Sequence, residues 1–157
     1  MELVISENGL AEHSAATLAR SVEAEAVNDR ATKLRTISYW VTTSVLAFCM
    51  TGGIFQLLGV KATVDGIMQL GYPAYIIPAL GLAKILAIFA ILWPGLPRLK
   101  EWAYAGIFFN MAGATISHVA RHDAVGFIVV TITIAAITLT SWALRPQNRR
   151  LGFTTGS

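Results

Sequence analysis

Lys84 is the residue in this sequence whose chemistry and position most need an explanation. It lies near the middle of the stretch 72 to 93, which is otherwise apolar and long enough to cross a bilayer as a helix. A charge at that depth costs about 3 kcal/mol or more, so such residues usually belong to functional sites. The apolar stretches of the chain contain no Asp or Glu. The sequence therefore offers Lys84 no carboxylate partner of its own.

Three interpretations of Lys84 stay open at this point. In the first, the amine donates to Asn110 and to free backbone carbonyls, or loses its proton, and only fixes helix packing. In the second, it binds an anion or a carbonyl-bearing lipophilic ligand such as a quinone headgroup. In the third, it pairs with an acidic group on another subunit.

Two histidines form a weaker candidate site. His118 and His122 are four residues apart and Asp123 follows, which is a possible metal-binding pattern. Such residues without a further ligand are more often interfacial, so we assign no metal. We assign no catalytic residue either, and quinone is the one cofactor that we consider. The single cysteine, Cys49, excludes an intramolecular dithiol relay.

The elements that must position these residues are membrane helices. The sequence is 55% hydrophobic and 13% charged, and four of its apolar stretches are near the ~20 residues that a crossing helix needs. They cover residues 37 to 58, 72 to 93, 102 to 120 and 124 to 144. We therefore predict an all-α integral membrane domain over residues 36 to 145, folded as a four-helix transmembrane bundle.

Basic residues set the expected orientation. They precede the first stretch, join the second to the third and follow the fourth, whereas only Lys61 and Arg121 lie on the opposite side. Both termini should therefore be cytoplasmic. The formal net charge of +3 reflects this asymmetry and does not indicate nucleic-acid binding.

The two flanking segments are predicted to be cytoplasmic. Residues 1 to 35 should be poorly structured or form a surface helix. Residues 146 to 157 form a basic tail that suits anionic lipid headgroups. The expected partners are the lipid bilayer and either another membrane protein or a second copy of the chain.

Depth along the helices brings the polar residues into one predicted cluster. At ~1.5 Å per residue, Lys84 lies about 18 Å and Asn110 roughly 15 Å from the outer ends of their helices, depths at which the two side chains could meet. The predicted cluster contains Lys84, Asn110, Gln56 and Ser117. Its predicted outer rim contains Tyr72, Tyr75 and His118.

Small residues indicate where the helices pack, because close backbone approach stabilises helix contacts in a bilayer. One face of the third helix carries Ala103, Gly106, Asn110, Gly113 and Ser117, and a seam on the first carries Cys49, Gly52, Gly53 and Gln56. Lys84 shares a face with Gly81 on the second helix. We therefore expect Lys84 to point into a polar bundle interior.

Four short motifs carry a family resemblance. They are GYP at 71 to 73, LGLAK at 80 to 84, PRLKEWAYAG at 97 to 106 and SH at 117 to 118. Over roughly residues 37 to 144 the chain resembles the DoxX-like family of small bacterial membrane proteins. In that family the position held here by Asn110 is commonly Asp. The chain therefore departs from the ion pair that the resemblance implies for Lys84.

The resemblance implies an association with membrane subunits of thiosulfate or quinol oxidation, or with oxidative-stress assemblies. The chain has no nucleotide motif, paired catalytic carboxylates or dithiol, so we do not expect it to run a redox reaction alone. We predict a non-catalytic membrane subunit or a small lipophilic-ligand-binding protein with a redox or stress function. The alternatives are a membrane subunit of a quinone-coupled oxidoreductase and an assembly or chaperone factor for another membrane protein.

Overall fold

The computed structural model describes residues 2 to 146 and Arg149. In these described ranges all regular structure is helical, which confirms the all-α prediction. The helices are α1 Glu2–Met50, α2 Gly52–Leu57, α3 Lys61–Gln69, α4 Ile77–Leu92, α5 Pro97–Ala120 and α6 Val125–Leu144, with a 3-10 turn at Ala74–Ile76. The chain divides into two compact units, Met1–Ile37 and Ser38–Ser157.

The first unit is the amino-terminal part of α1. Its side chains are exposed from His13 to Arg35. An exposed ion pair joins Lys33 to Asp29 one helical turn earlier, at 2.7 Å. The described residues of this segment, from Glu2 onward, are helical.

Three helical stretches of the described residues are long and apolar enough to cross a membrane. They are His13–Leu57, Ala74–Leu92 and Val125–Leu144. Helix α5 is also long, at 24 residues, but Asn110 and His118 lower the mean hydropathy of its apolar part. Composition and length thus support three crossings, and a fourth through α5 needs a further argument.

The first predicted span is interrupted at Thr51, where α1 ends and α2 begins. The Thr51 amide donates to the Phe48 carbonyl at 3.1 Å, and the Thr51 hydroxyl donates to the same oxygen at 2.6 Å. A hydroxyl that bonds its own helix backbone and a following Gly52–Gly53 pair both weaken an α-helix. The single helix predicted over residues 37 to 58 is therefore two helices.

Prolines account for the differences at the other helix starts. Helix α4 begins five residues later than predicted, because Pro78 has no backbone N–H and is tolerated only in the first turn. Helix α5 begins five residues earlier than predicted, with Pro97 in its first turn. Between them Gly95 has a φ of 80°, which a glycine adopts without strain. Residues 59 to 71, which connect the first two predicted spans, contain the short helix α3.

Packing within the second unit follows the chain order of the long helices. Helix α2 packs on α4, α4 on α5 and α5 on α6. The buried apolar core includes Leu46, Met50, Ala87, Ile91, Tyr104 and Ile107. Ile134 and Ile137 of α6 pack against this core. The hydrophobic core therefore joins the end of α1 to α4, α5 and α6.

Helices α2 and α4 approach closely at a pair of glycines. A Cβ atom on Gly53 would lie 2.8 Å from the Gly81 carbonyl oxygen and 2.8 Å from Lys84 Cβ. A Cβ atom on Gly81 would lie 2.7 Å from the Gly53 carbonyl oxygen. Gly52, which was predicted in the same seam, has no such neighbour within 4 Å. The contact of α2 with α4 therefore requires glycine at positions 53 and 81 and not at position 52.

We predict that Gly53→Ala and Gly81→Ala each lower the free energy of unfolding by about 1–3 kcal/mol, because the new methyl group meets backbone atoms. Equilibrium unfolding in mixed micelles measures the change. Gly52→Ala is the matched control, which should be neutral or stabilising by up to about 1 kcal/mol because alanine favours the helix. Equal effects at positions 52 and 53 would contradict this account of the contact.

Candidate functional site

A slot of about 290 Å³ lies between α4 and α5, and we call it the α4–α5 slot. Lys84 from α4 and Asn110 from α5 line it, and its other walls are apolar apart from the Trp102 indole. Leu86 and Trp102, which also line it, are 58% and 78% exposed. The slot is therefore open at the side of the helices, where a bilayer would lie.

Lys84 is half-buried and its aliphatic stem packs beside Gly53. Within residues 2 to 146 and Arg149, neither the Lys84 amine nor the Asn110 amide has a hydrogen-bond or ion-pair partner. The two residues thus line one slot without a hydrogen bond between them. Both polar groups are available to a molecule that enters the slot.

The predicted direction of Lys84 differs from the observed one. The prediction pointed Lys84 into a polar bundle interior, but Lys84 lines a slot that opens sideways and has mainly apolar walls. The reason is that the α2 backbone at Gly53 occupies the space beside Gly81 and the Lys84 Cβ atom. Gly106 was predicted on a helix-packing face, but a Cβ atom there would meet nothing within 4 Å. Gly106 therefore widens the slot and does not bring two helices together.

The other residues of the predicted cluster lie elsewhere. Gln56 is 6% exposed and lies at the contact of α2 with Gly81. Its buried Oε1 atom has no hydrogen-bond partner among the described residues. Ser117 is hydrogen-bonded to the Tyr72 hydroxyl at 2.9 Å, whereas Tyr75 is 82% exposed. The residues of the predicted cluster and its outer rim are therefore divided into separate groups.

The histidine pair does not converge on one point. His118 Nδ1 is 2.8 Å from Asp123 Oδ2, and its ring stacks on Phe127 with the centroids 5.3 Å apart. His122 is exposed and has a φ of 55°. Across the described part of the chain, no group of three or more His, Cys, Asp or Glu side chains is placed to hold a metal ion.

A second polar centre, which the sequence analysis did not identify, surrounds Lys100. This lysine is fully buried. Its Nζ atom donates to the carbonyls of Ala90 at 2.8 Å and Ile91 at 3.2 Å, and also to that of Trp93. The last carbonyls of a helix have no partner within the helix. Lys100 therefore caps the end of α4, beside the slot wall at Ala90.

Glu101 connects the start of α5 to the end of α6. Its two carboxylate oxygens accept from Arg145 at 2.7 Å and from the Trp142 indole at 2.7 Å. Arg145 is almost fully buried, and its guanidinium lies 5.2 Å from the centre of the Tyr104 ring. Lys100 and Glu101 of this motif are thus paired within the fold, whereas Arg98 is exposed.

Hydroxyl groups continue this second centre into the bundle. The Ser141 hydroxyl is 2.8 Å from that of Thr43 and 2.9 Å from that of Tyr104. These contacts join α1, α5 and α6. Arg149 donates to the Tyr39 hydroxyl at 3.3 Å and to the Ile91 carbonyl at 3.2 Å. One end of the second unit is therefore held by buried polar contacts.

Lys100 and Glu101, directly before the apolar stretch 102 to 120, have shifted pKa values. Burial lowers the pKa of Lys100 to about 8, assisted by the positive charges of Arg149 and Arg145. Burial alone would raise the pKa of Glu101, but hydrogen bonds from Trp142 and Arg145 and the Arg145 charge outweigh it and lower that pKa. These shifts fit structural roles in which Glu101 stays ionised and Lys100 serves as a donor to carbonyls.

Comparison with known proteins identifies the family. The sequence model described as the DoxX-like family matches residues 40–141. The chain therefore belongs to the DoxX-like family, which confirms the resemblance carried by the four motifs. Neither the curated proteins nor the solved structures give a match.

We predict that Lys100→Met lowers the free energy of unfolding by about 3 kcal/mol, because the carbonyls at the end of α4 lose a buried donor. Equilibrium unfolding in mixed micelles is again the measurement. Arg98→Met, at an exposed position two residues earlier, is the matched control and should change the free energy by less than about 0.5 kcal/mol. A Lys100→Met protein as stable as the Arg98→Met protein would show that the cap is dispensable.

Proposed function

We propose that this member of the DoxX-like family is a non-catalytic, multi-pass protein of the bacterial inner membrane that binds a small lipophilic ligand in the α4–α5 slot. One observation carries the proposal. Lys84 and Asn110 have no partner among the described residues, and they line one slot whose other walls are nearly all apolar. Apolar walls with a few convergent polar groups are typical of small-molecule sites.

A fourth crossing through α5 is part of this proposal. The 24 residues of α5 correspond to about 36 Å of helix, enough to cross the hydrocarbon core. Its stretch 102 to 120 carries no Asp, Glu, Lys or Arg. It packs between α4 and α6, and both of these lie in candidate crossings. A helix packed between two crossing helices is best accommodated as a crossing itself.

The proposed orientation follows from the charge at the two ends of the second unit. Lys100, Arg145 and Arg149 meet at the end where α4 is followed by α5. At the opposite end Lys61 pairs with Asp65 at 2.6 Å, and few other basic residues are present. An excess of Lys and Arg marks the cytoplasmic side. The basic end, with both termini, is therefore assigned to the cytoplasm.

The chemistry of the slot limits the ligand. A lysine amine donates hydrogen bonds, so the ligand must present an acceptor such as a carbonyl oxygen or an anionic oxygen. The open side favours entry from the bilayer, which selects a lipophilic molecule. A volume of about 290 Å³ is at the small end of ligand pockets. A quinone headgroup is one molecule that meets these conditions, in agreement with the redox or stress role that the family suggests.

We predict that decylubiquinone quenches the fluorescence of Trp102 when it is titrated into nanodiscs that hold the full chain. Lys84→Met should weaken this binding about 10- to 100-fold, because a charge-assisted hydrogen bond contributes ~1.5–3 kcal/mol. Trp102→Phe should remove most of the quenching without removing the binding, which native mass spectrometry reports separately.

Lys61→Met is the matched control, because the Lys61 side chain is 87% exposed and lies outside the slot. Its affinity for decylubiquinone should equal that of the unmodified protein. If Lys84→Met binds equally well, the ligand proposal is wrong. If Lys84→Met fails to accumulate in the membrane, the packing interpretation of Lys84 is the correct one.

A further inference from the structure

We propose that Lys84 captures lipophilic aldehydes from the bilayer as a reversible imine within the α4–α5 slot. This inference rests on the ligand slot proposed above and names a second, covalent use of it. The reacting group is the Lys84 amine, and Asn110 is the positioning residue for the aldehyde oxygen.

A comparison among the lysines of the chain supports the choice of Lys84. Lys33 and Lys61 are paired with Asp29 and Asp65 at 2.7 and 2.6 Å. Lys100 donates to carbonyls at the end of α4. Among the described residues, Lys84 is thus the lysine whose amine has neither an acid nor a carbonyl to hold it.

The surroundings of Lys84 suit a nucleophile. Lysines that form imines are activated where apolar walls and the absence of a carboxylate favour the neutral amine. The slot has such walls, and no acidic residue lines it. The stem of Lys84 is fixed beside Gly53, which limits the positions that the amine can take.

The shape of the slot indicates the class of aldehyde. Ala83, Ala87 and Gly106 leave room for a narrow chain, and the exposed Leu86 and Trp102 mark the open side. A single alkyl chain with a terminal carbonyl fits this form, whereas a two-chain phospholipid would exceed about 290 Å³. We therefore assign the site to long-chain, uncharged aldehydes.

The proposed reaction needs no oxidant or reductant. The Lys84 nitrogen lone pair attacks the carbonyl carbon, so a C–N bond forms while the C–O π bond breaks. The oxygen takes the proton that the nitrogen loses, which gives a carbinolamine that Asn110 can hold by a hydrogen bond. Loss of the hydroxyl group with the remaining nitrogen proton releases water and leaves the C=N bond. Addition of water reverses the reaction and returns the aldehyde.

The test is trapping by reduction in the full chain. The protein in nanodiscs of saturated phosphatidylcholine is mixed with dodecanal and sodium cyanoborohydride, which reduces an imine to a stable secondary amine. Peptide mapping should place a mass gain of the aldehyde less one oxygen on Lys84. This labelling should be at least about tenfold faster than at Lys33 and Lys61, which are paired and exposed.

Two controls separate slot chemistry from surface chemistry. Glyceraldehyde, which is water-soluble, should label the exposed Lys33 and Lys61 faster than Lys84, the opposite of the order expected with dodecanal. Asn110→Leu should slow the labelling of Lys84 by dodecanal several-fold while leaving the labelling of Lys61 unchanged. A uniform loss of labelling at all lysines would instead indicate a structural effect and would overturn the role of Asn110.

The outcome also separates this inference from the proposed function. If dodecanal labels Lys84 no faster than Lys61, the imine proposal is overturned. If decylubiquinone still binds the same nanodiscs in a Lys84-dependent way, the ligand slot stands and only the covalent step fails. The rate comparison is made within one unmodified molecule, so it does not depend on whether a Lys84 variant folds.

Discussion

The central constraint on this protein is one amine that lies in an apolar slot without a carboxylate. A charge in such surroundings is stabilised by dipoles, by a partner or by a ligand, or else it is lost. The described residues offer Lys84 no hydrogen bond or ion pair, and the other polar side-chain groups that line the slot are the amide of Asn110 and the indole N–H of Trp102. The proposed ligand is therefore a molecule that brings its own acceptor or its own carbonyl carbon.

The fold fixes α4, which carries Lys84, at two places. In one, the Gly53 and Gly81 backbones come so close that neither position has room for a methyl group. In the other, Lys100 caps the last carbonyls of α4 and is itself fully buried. Glu101 and Arg145 then join α5 to α6. The polar interactions of the bundle thus hold the helices that form the slot, while the slot residues keep their polar groups free. A site is precise when rigid elements position it.

Much of this arrangement was predictable because hydrophobic stretches and helical rise depend on local sequence. Three of the four predicted spans overlap helical stretches long and apolar enough to cross, and Lys84 and Asn110, whose estimated depths are similar, line one slot. The break at Thr51 was not predicted, because hydropathy alone does not show that the Thr51 hydroxyl bonds the backbone of its own helix. The role of Lys100 was missed for a different reason. An exposed lysine and a lysine that caps another helix look the same in sequence, and only the tertiary packing of α5 on α4 distinguishes them. The one signal of this role in the sequence was the pair of adjacent opposite charges at Lys100 and Glu101, inside the PRLKEWAYAG motif.

The most direct measurement is a high-resolution structure of the full chain in nanodiscs made from the native lipids. The account predicts density that belongs to no protein atom in the α4–α5 slot, with an acceptor or carbon atom within about 3 Å of Lys84 Nζ. An Nζ atom that instead donates to a group of its own chain, in a slot closed by repacked side chains, would contradict it.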